Sequence, residues 1–310
     1  MMNKEFTQQT WNAALEDDCR QLVRLAVRED LDRAYDWTTV SIVPESARAK
    51  AAVVARRPGV IAGIEVARTI IDELQMDVTW TTHRSDGSTV GAGEVIADIA
   101  GSARDMLTGE RVILNVLGRL SGIATLTQQY VQTLVGTRAK VYDTRKTTPG
   151  WRRLEKYAVQ CGGGMNHRTG LFEAMLIKDN HLALARSCPD APAHTPAEAV
   201  AAARAFLRSM AATVPNAATM IVEVEVDSLE QFDNVLPESP DIIMLDNMSA
   251  DLIRIAVQRR DASGLPVHLE ASGGINLHTI RAIAETGVDR ISVGALTHSA
   301  ICLDVALDWR

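Results

Sequence analysis

Residues 267–296, VHLEASGGINLHTIRAIAETGVDRISVGAL, contain two short units that resemble each other. HLEASGGI and DRISVGAL each carry an apolar run into a small or glycine-rich turn and then into a helical pattern. A strand that feeds a helix, repeated in series, builds a parallel sheet with crossover helices. The preceding sequence keeps the same rhythm, with apolar runs at 139–143, 220–226 and 241–245 that close on TRK, DS and DN. One intervening helix announces its start in Thr195-Pro196-Ala197-Glu198, a capping box with proline at the first helical position. This pattern predicts a parallel α/β barrel or a doubly wound sheet. Both folds place their chemistry at the C-terminal ends of the strands, where the polar residues fall here.

Upstream the pattern differs. Residues 16–30 place Cys19, Leu22, Val23, Ala26 and Val27 at helical spacing, 49–55 and 95–99 read as strands, and glycine-marked turns punctuate a small α+β unit. The apolar stretch 108–135 predicts one or two helices with a soft point at Ser121-Gly122, and a domain boundary is expected near there.

The 310 residues are 46% apolar, ample for a sizeable core, and carry a net charge of -7. That balance argues against nonspecific nucleic-acid binding, which needs excess cations. Locally the sign reverses: residues 138–179 hold nine Lys or Arg against four Asp or Glu. Cys19, Cys161, Cys188 and Cys302 show no metal or disulfide spacing. With no apolar run long enough for a membrane span and no leader-like N-terminus, the expected location is the cytoplasm.

Several residues can carry chemistry. Backbone N–H groups at Ser272, Gly273, Gly274 and Gly294 can converge on an anion, although tight turns of small residues also occur without one. DTRKTTPG sets Arg145 and Lys146 just after a strand, where they are either an anion clamp or a solvated basic loop. His167 and Arg168, in CGGGMNHRTG, and Lys178, in an apolar setting, add cations. Alternation along 221–227 puts Val222, Val224 and Val226 on one face and Glu223, Glu225 and Asp227 on the other. Glu225 and Asp246 can hold Mg2+ through water or accept from ribose hydroxyls; their plainer roles are internal salt bridges and a helix N-cap. P-loop, dinucleotide, zincin and hydrolase-elbow motifs are absent.

DTRKTTPG, KYAVQCGGGMNHRTGL, IKDNH, VEVEVDSLEQ, IIMLDN, EASGGI and TGVDRISVGAL, with LTGERVILNVLGRLSGIAT upstream, resemble the quinolinate phosphoribosyltransferase family along nearly the whole chain. The resemblance implies an N-terminal open α/β sandwich (residues 1–120, rejoined by 296–310) and a C-terminal incomplete, TIM-like α/β barrel (121–295). It implies a reaction in which quinolinate and phosphoribosyl pyrophosphate become nicotinate mononucleotide, carbon dioxide and pyrophosphate, with Mg2+ as cofactor. Carried over by motif, Arg145, His167, Arg168 and Lys178 meet the quinolinate carboxylates, joined by Arg111 from the second subunit of a homodimer. Lys146 and Lys178 face the phosphoribosyl pyrophosphate, Glu225 and Asp246 its ribose and metal, and Ser272, Gly273, Gly274 and Gly294 its 5-phosphate. Neither a nucleic-acid nor a membrane partner is implied. The glycines at 162–164 then serve as permissive backbone that delivers His167 and Arg168.

Two departures stand out: residues 187–196 are longer and richer in Pro and Ala than the family pattern, and Asp179 replaces a common Glu. The competing readings are a ModD-like paralogue, a transferase for another pyridine or pyrimidine acid, and a non-catalytic phosphosugar-binding barrel.

Overall fold

A computed structural model describes residues 5–187 and 195–310, so most of the stretch 187–196 lies outside the described residues. The chain forms two compact units, and it does not divide between them at a single point. One comprises Gln8–Gln129, Lys146–Met165 and Ala295–Arg310; the other comprises Tyr130–Arg145, Asn166–Gly294 and the N-terminal residues up to Thr7.

The first unit is built on a four-stranded antiparallel sheet in the order Val305–Trp309, Arg48–Ala55, Val95–Ser102, Val78–Thr82. Its inner strand Arg48–Ala55 buries Ala51 to Ala55 without interruption. The helix expected over 16–30 spans Ala13–Leu31, because Asn12 caps it by accepting from the Ala14 and Leu15 N–H groups, ahead of the periodic residues. Ala103–Thr133 is one unbroken helix. Gly122 does not soften it. A Cβ there would lie 2.1 Å from the Ile301 carbonyl oxygen, so this glycine permits close backbone approach.

The second unit contains a six-stranded parallel sheet in the order Lys140–Tyr142, Arg290–Ser292, His268–Ser272, Ile242–Asp246, Ile221–Val226, Ala174–Ile177. Its two outer strands are not paired with each other, which leaves the barrel incomplete. The sequence pattern did not single out Ala174–Ile177, a strand of only four residues. Parallel sheets in such folds are covered on both faces. Accordingly Ile221–Val226 buries Val222, Val224 and Val226 and also Glu223, on the face that alternation marks as polar. That buried acid is a first sign of function, since carboxylates are rarely buried unless paired.

Candidate active site

The strand register sets out the polar ends. Ser272 lies opposite Asp246, and Ile177 opposite Val224, so Lys178 leaves its strand level with Glu225. Lys178 and Glu225 form an ion pair in which Glu225 is mostly covered and Lys178 half-exposed. Asp246 is not a helix cap: the next helix, Ala250–Ser263, is capped by Ser249. One Asp246 oxygen accepts from the Asn247 side-chain amide at 2.6 Å, and the Asn247 N–H donates to the Ser272 carbonyl at 2.9 Å. Gly273 adopts φ 93° and Gly274 φ 61°. A Cβ on Gly273 would strike Asn247 Oδ1 at 2.2 Å, so this turn after His268–Ser272 requires glycine sterically. Gly294 follows Arg290–Ser292, the neighbouring strand.

A second cluster surrounds His167 and Arg168, both almost fully buried. Buried Asp143 accepts from the His167 N–H at 2.8 Å and from the Asn166 side-chain amide at 2.7 Å. The Arg168 N–H donates to His167 Nδ1 at 2.8 Å. With Nδ1 accepting, a neutral imidazole carries its proton on Nε2. That nitrogen lies 3.0 Å from Glu223 and 3.6 Å from Glu270, two carboxylates with no exposed surface. Burial, and then the neighbouring Glu223, push the Glu270 carboxyl up to about 7, against the pull of His167, Arg290 and Ser292.

Arg168 Nη1 donates to the Ala174 carbonyl at 2.9 Å. Its Nε, like that of Arg145, is buried without a hydrogen-bond partner among the described residues. Burial pushes the Arg168 guanidinium below its ordinary range; Glu223 opposes this and the charge of Arg145 reinforces it. Two guanidinium groups close enough to repel, each with an unused buried donor, suit an anion. Leaving such a donor unmet costs about 1–3 kcal/mol, more for a charged group.

The other unit holds Lys146 and Arg111. Lys146 is exposed, and its carbonyl accepts from the Thr297 hydroxyl at 2.7 Å. Arg111 is 68% exposed, with Glu110 3.6 Å away. In the same unit, Gly162 and Gly164 have no room for a Cβ, which would lie 2.3 Å from the Ala124 carbonyl oxygen and 2.6 Å from Thr127 Cγ2, and Gly163 has φ 83°. Close approach and a left-handed turn account for all three glycines.

Arg145, His167, Arg168, Lys178, Glu225, Asp246, Ser272, Gly273, Gly274 and Gly294 therefore belong to one unit. Asp143, Asn166 and Glu270 join the cluster although the sequence pattern gave them no role. A charged residue inside an otherwise apolar strand, as in HLEAS, was the available signal for Glu270. Among the described residues, His167, Glu223 and Glu270 are the one group of three close enough to share an ion. Complete burial and a nitrogen donor suit Mg2+ poorly, since that ion keeps several waters and prefers oxygen. Glu225 and Asp246 offer the harder donor set.

Models of the N- and C-terminal domains of quinolinate phosphoribosyl transferase match residues 36–121 and 123–308. The chain is 44% identical over 294 residues to the nicotinate-nucleotide pyrophosphorylase [carboxylating] of Mycobacterium leprae, covering 94% of this chain and 97% of that one. The solved nicotinate-nucleotide pyrophosphorylase of Francisella tularensis aligns with a TM-score of 0.83 at 35% identity, covering 99% of this chain and 100% of that one. The solved enzyme from Ehrlichia chaffeensis aligns at 0.79 with 34% identity, over 94% and 98%. Similarity of this extent, across both domains, places the chain in the quinolinate phosphoribosyl transferase family.

Proposed function

We propose that this protein transfers phosphoribosyl from phosphoribosyl pyrophosphate to quinolinate with decarboxylation, giving nicotinate mononucleotide, carbon dioxide and pyrophosphate for de novo NAD synthesis in the cytoplasm. The observation that carries the reading is the pair of buried, unmet Nε donors on Arg145 and Arg168, within a family whose relatives bear that activity in their names. A planar dicarboxylate supplies what those forks lack.

Both substrates are polyanions, so their approach needs cations between and around them. Arg145, His167, Arg168 and Lys178 meet the quinolinate carboxylates, and Lys146 and Lys178 face the pyrophosphate. The Ser272, Gly273 and Gly274 turn and Gly294 receive the 5-phosphate. As the pyridine nitrogen displaces pyrophosphate, positive charge develops at the ribose C1, and the Glu225 and Asp246 carboxylates stabilise it. Lys178 starts in its ion pair with Glu225 and is shared with the incoming anions. The alkylated ring is cationic and accepts the electron pair released as the adjacent carboxylate leaves as carbon dioxide; C2 then takes up a proton. Glu225 and Asp246 would hold Mg2+ through water, and when bound that ion offsets charge on the departing pyrophosphate.

The working unit is a homodimer in which Arg111 serves the second subunit. Its exposure on the helix Ala103–Thr133, with a single adjacent acid, supports this. Carbon dioxide release from quinolinate that depends on phosphoribosyl pyrophosphate tests the reaction, and binding without decarboxylation would sink it. For the dimer, inactive Arg111→Ala and inactive Lys146→Ala chains should regain part of the activity when mixed. No recovery despite demonstrated subunit exchange removes Arg111 from the shared site.

A further inference from the structure

Glu5-Phe6-Thr7 lies in a polar stretch far from every motif in the sequence, yet it packs into the parallel-sheet unit. The contacts reach both outer strands of that sheet. Glu5 Oε2 accepts from the hydroxyl of Tyr142, the last residue of one outer strand, at 3.0 Å, and Glu5 Oε1 lies 3.0 Å from Arg290 Nη1. The Thr7 N–H donates at 2.7 Å to Glu173, which immediately precedes the other outer strand. Between these ties Phe6 is 3% exposed and stacks on the His167 ring, with centroids 4.3 Å apart and planes at 29°.

These ties converge on Arg168 from both sides of the chain. On one side is His167, whose Nδ1 accepts from the Arg168 N–H, whose Nε2 faces Glu223, and whose ring face is covered by Phe6. On the other side is Thr169, whose N–H donates to the second oxygen of the same Glu173 that accepts from Thr7. Segment 5–7 thus braces both neighbours of Arg168.

A guanidinium fork binds a carboxylate well only when its plane and position are set beforehand. We propose that Phe6 is a positioning residue for dicarboxylate binding, acting through the stacked ring of His167 on Arg168, with the Thr7–Glu173–Thr169 link as its second support. The inference rests on the function proposed above, and it extends the substrate site to a segment that carries no charge aimed at substrate.

Steady-state kinetics with both substrates varied will test it in Phe6→Ala, Phe6→Leu and Thr7→Pro, the last removing the N–H that Glu173 accepts. In Phe6→Ala the KM for quinolinate should rise about tenfold while that for phosphoribosyl pyrophosphate stays within about twofold. Phe6→Leu, which refills the volume, should recover most of that loss, and Thr7→Pro should show the same split more weakly. If Phe6→Ala fails to fold, the split in the other two variants decides. Folded variants with both KM values unmoved, or moved equally, overturn the positioning role. A wild-type protein that does not turn over quinolinate overturns the functional reading instead.

Discussion

The corner at residues 166–168 and the ion pair between Lys178 and Glu225 belong to the same parallel-sheet unit and to the same proposed site, but they are built in opposite ways. At the corner, Asp143 accepts from the His167 N–H and the Asn166 amide, the imidazole accepts at Nδ1, sets Nε2 3.0 Å from Glu223 and is covered on one face, and Arg168 is tethered to the Ala174 carbonyl. Lys178 makes one ion pair and keeps its side chain 42% exposed. The corner is set by the fold before any ligand arrives. The lysine can exchange partners during a reaction. A group that must discriminate geometry is buried and braced, whereas one that must follow moving charge is left mobile.

Breaking the corner should have the largest effect. Arg168→Lys keeps the charge but loses the fork, and the KM for quinolinate should rise by about a hundredfold with little change for phosphoribosyl pyrophosphate. Equal losses for both substrates would move Arg168 to the phosphate side. Lys178→Arg is the matching substitution in the mobile half, and a loss of about tenfold or less in kcat/KM is expected because the exposed chain can readjust. Should it match the loss in Arg168→Lys, the contrast between the two regions fails.

The acid beneath the corner yields a smaller effect, seen in stability. Glu270 faces Glu223, His167, Arg290 and Ser292, and its carboxyl rises from an ordinary 4.5 to about 7. Below 4.5 it is protonated whether folded or unfolded. Between 4.5 and 7 the unfolded chain gives up the proton and the native protein keeps it, so stability is lost as pH rises through this window. Glu270→Gln should flatten that slope, gaining up to about 3 kcal/mol relative to wild type by pH 8. Urea midpoints at pH 4, 6 and 8 measure it, and parallel profiles for the two proteins would show that Glu270 does not hold the proton.

Much of the proposed site could be seen in the sequence because its parallel strands end in charged residues and glycine-rich turns. The endings TRK, DN and SGG mark Arg145, Asp246 and the Ser272–Gly274 turn in the sequence alone. The change of pattern also set a small α+β part apart from the parallel one, whereas the antiparallel pairing of the first sheet is seen only in the structure. What stayed hidden depends on contacts distant in sequence. Phe6 has no periodic neighbours, and its partner His167 lies far along the chain. Glu223 was placed on the correct face of its strand by alternation, but alternation cannot say whether that face meets water or Glu270. The motif CGGGMNHRTG reads as one stretch, yet its residues up to Met165 belong to the other unit, where Gly162 and Gly164 are fitted against the helix Ala103–Thr133.

The antiparallel sheet has a consequence for biosynthesis. Arg48–Ala55 emerges early from the ribosome, whereas its outer neighbour Val305–Trp309 emerges only after every strand of the parallel sheet has been made. Until then one edge of an apolar strand stays open to pairing with any other nascent chain. The sheet whose strands are made first is thus the last to be completed, and the wait is a window in which chaperone cover of that edge would matter most.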